Sequence, residues 1–259
     1  MAPALHGPDE QIPAPFTRRG RYILAAAGNA NDLFTTAMLL HRFNYPVCTA
    51  RNARQALDMV SVAMPSLVIA DAVLPGMSGI ELLRVLGKNP HTFSIPVILL
   101  LPPSGGAGLE REDVEIGGAF ILQKPVEIED LYRFVQAAVE RTPRMNIRVQ
   151  TALPVAVNKV SLDVARGECA THLSVQGMFI RTFKYHRSGE SLALQLTIHG
   201  RTINADATII HTRRQDDSPL AEPGMAVKFT RLTGEDRELI KRFVHDEVTR
   251  GIVMARPAA

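Results

Sequence analysis

The 259-residue sequence has no tryptophan and little aromatic content overall, 5% of residues. It has two cysteines, Cys48 and Cys169, far apart in the chain. That excludes a disulfide scaffold and fits a reducing compartment such as the cytoplasm. No apolar run reaches the roughly 18 residues that a membrane-spanning helix needs, so no membrane insertion is expected. The longest, around Ile95 to Leu101, has the length of a strand. The first residues, MAPALHGPDEQIPAPF, are polar and proline-rich and lack the apolar core of a signal peptide. They read as a flexible tail over 1–19. Apolar residues make up 46% and charged residues 21%, enough to bury a normal core. At about 100–200 residues per domain, the length allows one large domain or two ordinary ones.

The net charge of +3 is unevenly placed. Residues 1–140 hold 11 Lys and Arg against 14 Asp and Glu, a net of −3. Residues 141–259 hold 18 against 12, a net of +6. A slightly acidic half is thus joined to a basic half suited to an anionic ligand.

The first half alternates strands and helices. Apolar runs at 21–27, 67–70 and 95–101, with shorter ones at 46–50 and 120–122, alternate with helical patterns at 31–43, 52–63, 80–86 and 128–139. Asn31 is the expected N-cap of the first helix. Continuous apolar strands between amphipathic helices predict an α/β fold, a doubly wound parallel sheet covered on both faces. Ligand chemistry in such folds lies at the carboxyl ends of the strands, where Asp71 and Lys124 fall. The glycines and prolines of Pro102–Gly118 argue for a loop or short helix there.

Two segments carry a resemblance. Asp71-Ala-Val-Leu-Pro75-Gly-Met-Ser-Gly79 resembles the phospho-acceptor segment of response-regulator receiver domains, and Ile121-Leu122-Gln123-Lys124-Pro125 resembles their last strand. The resemblance implies a receiver-like domain over 20–140, with Asp71 as phospho-acceptor, Lys124 as its partner and a cis peptide before Pro125. It also implies an acidic pair for Mg²⁺, where this chain has Ala27 and Gly28, and a hydroxyl where it has Leu101. Ile121 stands at the aromatic switch position. Asp32 is close in sequence but is expected to face elsewhere. Phosphoryl transfer needs carboxylates to hold the metal. Asp71 and Lys124 therefore read as a vestigial ion pair, no metal is expected, and a phosphorylated Asp71 is the lesser alternative.

The chain then runs through Arg141-Thr-Pro-Arg144-Met-Asn-Ile-Arg148 with no Gly/Ser linker, and Pro143 stops the preceding helix. Strand signals follow at 149–157, 161–164, 177–181, 192–198, 203–209 and 224–230. Thr233-Gly-Glu-Asp236 resembles a capping box opening a last helix, with Asp in the Glu position. Six or so short strands closed by one helix predict a small antiparallel β-barrel.

Arg144-x-x-x-Arg148, then His172-Leu-Ser174-Val-Gln-Gly177 about 24 residues on, then GMAVKF before a helix, resemble a PilZ domain over 141–255. The resemblance implies binding of cyclic di-GMP through Arg144, Arg148, His172, Ser174 and Gly177. Guanidinium groups present forked donors to phosphate and guanine edges. Ser174 would offer a hydroxyl, and Gly177 a close approach or tight turn. His172 departs from the family's Asp or Asn and has a different donor and acceptor geometry. Arg141, Arg181, Arg213 and Arg214 are possible additions to the site.

These features point to a cytoplasmic, non-enzymatic signal-transduction protein of the two-component type. A receiver-like domain that is not phosphorylated would be coupled to a nucleotide-binding PilZ domain to control a protein partner. A ligand-independent adaptor in motility or polarity control is the alternative. No helix-turn-helix is evident, so DNA is not an expected partner, and a homodimer is possible.

Overall fold

The computed structural model describes residues 22–103, 119–217 and 221–252. The proline-rich start, and all but the first two residues of the Pro102–Gly118 segment, lie outside them.

The first domain is a five-stranded parallel sheet. Its strands are β1 (Ile23–Ala26), β2 (Val47–Ala50), β3 (Leu67–Asp71), β4 (Val97–Leu101) and β5 (Phe120–Gln123), in the order β2-β1-β3-β4-β5. Every residue of β1 and β3 is buried, as a strand covered on both faces requires. Successive side chains point to opposite faces. Leu24 and Val68 join one apolar cluster with Leu82 and Leu86, while Ile23 and Ile69 join another with Leu40 and Leu131. Helices α2 (Ala53–Val62) and α3 (Gly79–Lys88) therefore cover one face of the sheet, and α1 (Ala30–Arg42) and α4 (Ile128–Val139) the other.

Two helix starts shape the end of the sheet where Asp71 lies. The N-cap of α1 is Asn29, not Asn31: Asn29 Oδ1 accepts from the backbone N–H groups of Asn31 at 2.8 Å and Asp32 at 3.3 Å. Helix α3 opens with a reciprocal Ser78–Glu81 capping box. Its first residue must be glycine, because a Cβ on Gly79 would lie 2.2 Å from the Asp71 carbonyl oxygen. The Lys124–Pro125 peptide is cis.

The second domain has eight strands where the sequence suggested about six. They are β6 (Val149–Leu153), β7 (Val155–Val157), β8 (Val160–Ser161), β9 (Cys169–Ser174), β10 (Gly177–Arg181), β11 (Ser191–Ile198), β12 (Arg201–Arg213) and β13 (Gly224–Arg231). All pairings are antiparallel, in the order β6-β9-β10-β13-β12-β11-β7-β8. Strand β6 is one edge, yet β7, next to the other edge, follows it after Pro154 alone. Two residues span at most about 7 Å, so the sheet must curl until its edges approach. Helix α5 (Gly234–Thr249) packs Ile240, Phe243, Val244 and Val248 inward. Its cap is one-sided. Thr233 accepts from Asp236 N at 3.1 Å, but the Asp236 carboxylate faces Arg201 at 3.0 Å instead of completing a capping box.

The α1/α4 face of the first domain meets the second. Leu40, Tyr132 and Val135 belong to the same apolar cluster as Ile147, Val149 and Val248. Arg42 Nη2 donates across this seam to the Arg250 carbonyl oxygen at 3.3 Å. No helix among the described residues is long and apolar enough to cross a membrane.

Candidate functional site

The end of the parallel sheet holds a compact charge cluster. Lys124 Nζ lies 2.7 Å from Asp71 Oδ1 and 2.5 Å from Asp32 Oδ2. Asp32 therefore does not face elsewhere. With Asn29 as the cap, it falls in the first turn of α1 and aims at the pocket. Burial raises the Asp71 carboxyl above its ordinary value, and Asp32 adds to this; Lys124 opposes both. Burial acts to lower the Lys124 ammonium, but Asp32 and Asp71 outweigh it and hold it above its usual value.

These residues do not fit a divalent cation. Ala27 and Gly28 supply no carboxylate, and the Lys124 ammonium already sits against both acids. No group of three or more His, Cys, Asp or Glu suited to a metal occurs among the described residues. Leu101, at the end of β4, carries no hydroxyl, and Ile121 is 36% exposed on β5.

The second site lies at the seam between the domains. Arg144, Arg148, His172 and Phe179 line both a cavity of about 540 Å³ and an adjoining one of about 270 Å³. The larger is within the range of roughly 300–1,000 Å³ typical of small-molecule sites. Ile147 is buried and fixes the segment between the two arginines. Arg148 directly precedes β6, and Gln150 of β6 pairs with His172 of β9. On its other side, His172 pairs with Phe179 of β10, ring to edge, at 6.5 Å between centroids. Thr171 Oγ1 lies 3.2 Å from His172 Nδ1.

Burial lowers the Arg148 guanidinium from its ordinary value, and the like charge of Arg144 lowers it further. Burial likewise lowers the His172 imidazole; Glu222 opposes this, while Arg148 and Arg144 reinforce it. Arg144 and Arg148 line one cavity and the like charge of the first acts on the second, an arrangement that a bound anion stabilises.

Ser174 and Gly177 stand at the β9–β10 turn and line the smaller cavity. Ser174 is buried, and its hydroxyl donates to the Gly177 carbonyl oxygen at 3.0 Å, so its proton is engaged within the hairpin. The close approach at Gly177 is to the protein's own backbone. A Cβ there would lie 2.1 Å from the Val227 carbonyl oxygen on β13. Of the other arginines, Arg213 lines the larger cavity. Arg181 is directed elsewhere, with Nε donating to the Gly167 carbonyl oxygen at 2.6 Å. Arg141 and Arg214 are exposed.

Among the lining residues not singled out from the sequence are Arg42, Tyr132, Gln136 and Glu222. Gln136 is a polar residue on the inward face of α4, and that was its one local signal.

Comparisons with known proteins agree with this two-part architecture. The family model for response regulator receiver domains matches residues 31–136, and that for PilZ domains matches residues 139–246. The phosphate regulon transcriptional regulatory protein PhoB of Pseudomonas aeruginosa is 31% identical over 123 residues, covering 48% of this chain and 53% of the relative. A probable cyclic di-GMP phosphodiesterase of Vibrio cholerae is 32% identical over 148 residues, covering 56% of this chain and 27% of the relative. The chain thus spans about half the length of the first and about a quarter of the second. The receiver domain of a histidine kinase from Syntrophus aciditrophicus superposes with a TM-score of 0.42 at 29% identity, covering 48% of this chain and 95% of that one. Residues 31–136 thus form a response regulator receiver domain and residues 139–246 a PilZ domain, joined in one chain.

Proposed function

We propose that this chain is a non-enzymatic cyclic di-GMP effector of the cytoplasm, in which the PilZ domain binds the nucleotide and an unphosphorylated receiver domain helps to present the result to a protein partner. One observation carries the reading. Arg144 and Arg148 converge on one cavity beside His172, where the like charge of Arg144 acts on Arg148. Cyclic di-GMP brings two phosphates and two guanines, the groups that forked guanidinium donors recognise. The nucleotide meets Arg144, Arg148 and His172 directly, while Ser174 and Gly177 hold the hairpin that carries the site's floor.

The receiver side of the reading rests on Lys124. An ammonium within 2.7 Å of both Asp71 and Asp32 takes up the charge that a metal would otherwise balance. Acetyl phosphate with Mg²⁺ should therefore leave the mass of the wild-type chain unchanged. A phosphorylated product absent from Asp71→Asn would overturn this part.

Titration calorimetry of the full chain with cyclic di-GMP tests the ligand. Heat of binding is expected from wild type, and Arg148→Ala should weaken it about tenfold or more, since a charged hydrogen bond contributes roughly 1.5–3 kcal/mol. Absence of heat from wild type would favour a ligand-independent adaptor, the reading that His172 in place of Asp or Asn supports.

A further inference from the structure

We propose that the receiver domain forms one wall of the nucleotide site, with Arg42 at the end of α1 binding an anionic group of cyclic di-GMP alongside Arg144 and Arg148 of the second domain. This rests on the reading that the seam cavity takes that ligand, and it adds a role for the first domain in holding it.

The larger cavity belongs to both domains. His41, Arg42, Tyr132 and Gln136 of the receiver line it together with Arg148 and His172 of the second domain. Arg42 already points across the seam, since its Nη2 donates to the Arg250 carbonyl oxygen. At 3.3 Å that bond is beyond the usual range of N–H···O contacts, so exchanging it for a charged bond to phosphate is favourable.

The charge balance points the same way. Two carboxylates line the cavity, Glu222 and Glu247, and each has a cation outside the arginine pair. Glu247 pairs with Arg250, and Glu222 lies 3.5 Å from Arg181. Arg42, Arg144, Arg148 and Arg213 therefore remain to set the sign of the lining. A cyclic dinucleotide carries its two phosphates on opposite sides of one ring. Arg144 and Arg148 sit four residues apart on one short segment and serve one side of such a ring. Arg42 supplies a cation from the other domain. The carboxyl end of α1 carries a partial negative charge that disfavours an anion, so the side chain and not the helix end must make the contact.

Calorimetry on the full chain with cyclic di-GMP tests this, comparing wild type, Arg148→Ala, Arg42→Glu, Arg42→Lys and Lys88→Glu. Lys88 is exposed at the end of α3, on the other face of the sheet, and controls for net charge. Arg42→Glu is expected to weaken binding about tenfold or more, Arg42→Lys less, and Lys88→Glu by less than about twofold. Thermal melts check that the variants fold. Cyclic di-GMP should also slow amide exchange at residues 41–45 of the wild-type chain. Wild-type affinity in Arg42→Glu, alongside loss in Arg148→Ala, overturns the receiver wall and leaves the PilZ site standing. Unchanged exchange at 41–45 does the same. Absence of binding by wild type overturns both.

Discussion

Gln136 of the receiver accepts the backbone N–H of Arg144 through Oε1 at 2.8 Å and donates Nε2 to the Tyr45 hydroxyl at 2.7 Å. The Tyr45 hydroxyl donates in turn to Glu140 Oε1 at 2.9 Å. Burial, and then the Glu140 carboxylate, keep the Tyr45 phenol well above its ordinary pKa, so it remains a donor. The Gln136 amide is thus satisfied at both ends although the residue is only 4% exposed. The first of the two cleft arginines is fixed by a hydrogen bond from the other domain.

That relay makes Gln136→Leu informative. The substitution keeps volume but leaves the Arg144 N–H and the Tyr45 hydroxyl short of a partner, at a cost of about 1–3 kcal/mol for each buried group that water does not reach. A lower melting temperature and weaker cyclic di-GMP binding are both expected. Tyr45→Phe should reproduce part of the stability loss with a smaller effect on the ligand, because the Gln136–Arg144 bond survives. Identical melts for wild type and Gln136→Leu would show that the relay contributes nothing.

Lys124 has a comparable place in the receiver. Lys124→Met leaves Asp71, with its side chain 8% exposed, without a counter-charge. Removing one member of a buried pair costs about 3–5 kcal/mol, and the lower figure applies here because Asp32 is 43% exposed and screened. Asp71→Asn should cost far less, since Lys124 keeps Asp32. The double variant should then be more stable than Lys124→Met alone. Urea denaturation of the three variants tests this, and additive losses would refute the coupling.

The receiver sheet was legible because its strands are short apolar runs and its helices are strongly amphipathic; α4 has the bounds that its pattern predicts. Strand β9 was harder to see. Five of its six residues are buried, so it lacks the alternation that marked β11. Asp32 is expected to face elsewhere because it stands a turn into the helix; it is in fact the third residue of α1, still in the first turn, and its side chain reaches Lys124. The seam had no local signal at all. Arg42 and Arg250 are 208 positions apart, and Gln136 and Tyr45 are 91 apart. Contacts of that kind depend on how two finished domains pack.

Gly177 separates ligand room from strand packing. A Cβ there meets the Val227 carbonyl oxygen and then the Lys228 Cα, both backbone atoms that no rotamer change can move aside. Gly177→Ala should therefore loosen the β10–β13 pairing and destabilise the second domain by about 2 kcal/mol or more. Thermal melting reads the effect. Wild-type stability with weakened ligand binding would mean that the glycine serves the nucleotide and not the sheet.

His172 makes binding depend on pH. Its burial favours the neutral imidazole, with Arg148 and Arg144 acting the same way and Glu222 against them. A histidine whose pKa is lowered on folding stabilises the fold fully above its unfolded value, near 6.5, and loses that contribution as pH falls below it. A bound phosphate has the opposite preference and favours the imidazolium. Cyclic di-GMP binding should therefore take up a proton, and affinity should rise from about pH 7 to about pH 5.5 even as the free protein loses stability. Calorimetry at about pH 6 in buffers of different ionisation enthalpy measures the uptake directly. His172→Gln should abolish it, flattening the affinity across the same range. Equal heats in all buffers for the wild-type chain would mean that His172 stays neutral with the nucleotide in place and serves as a packing group against Phe179.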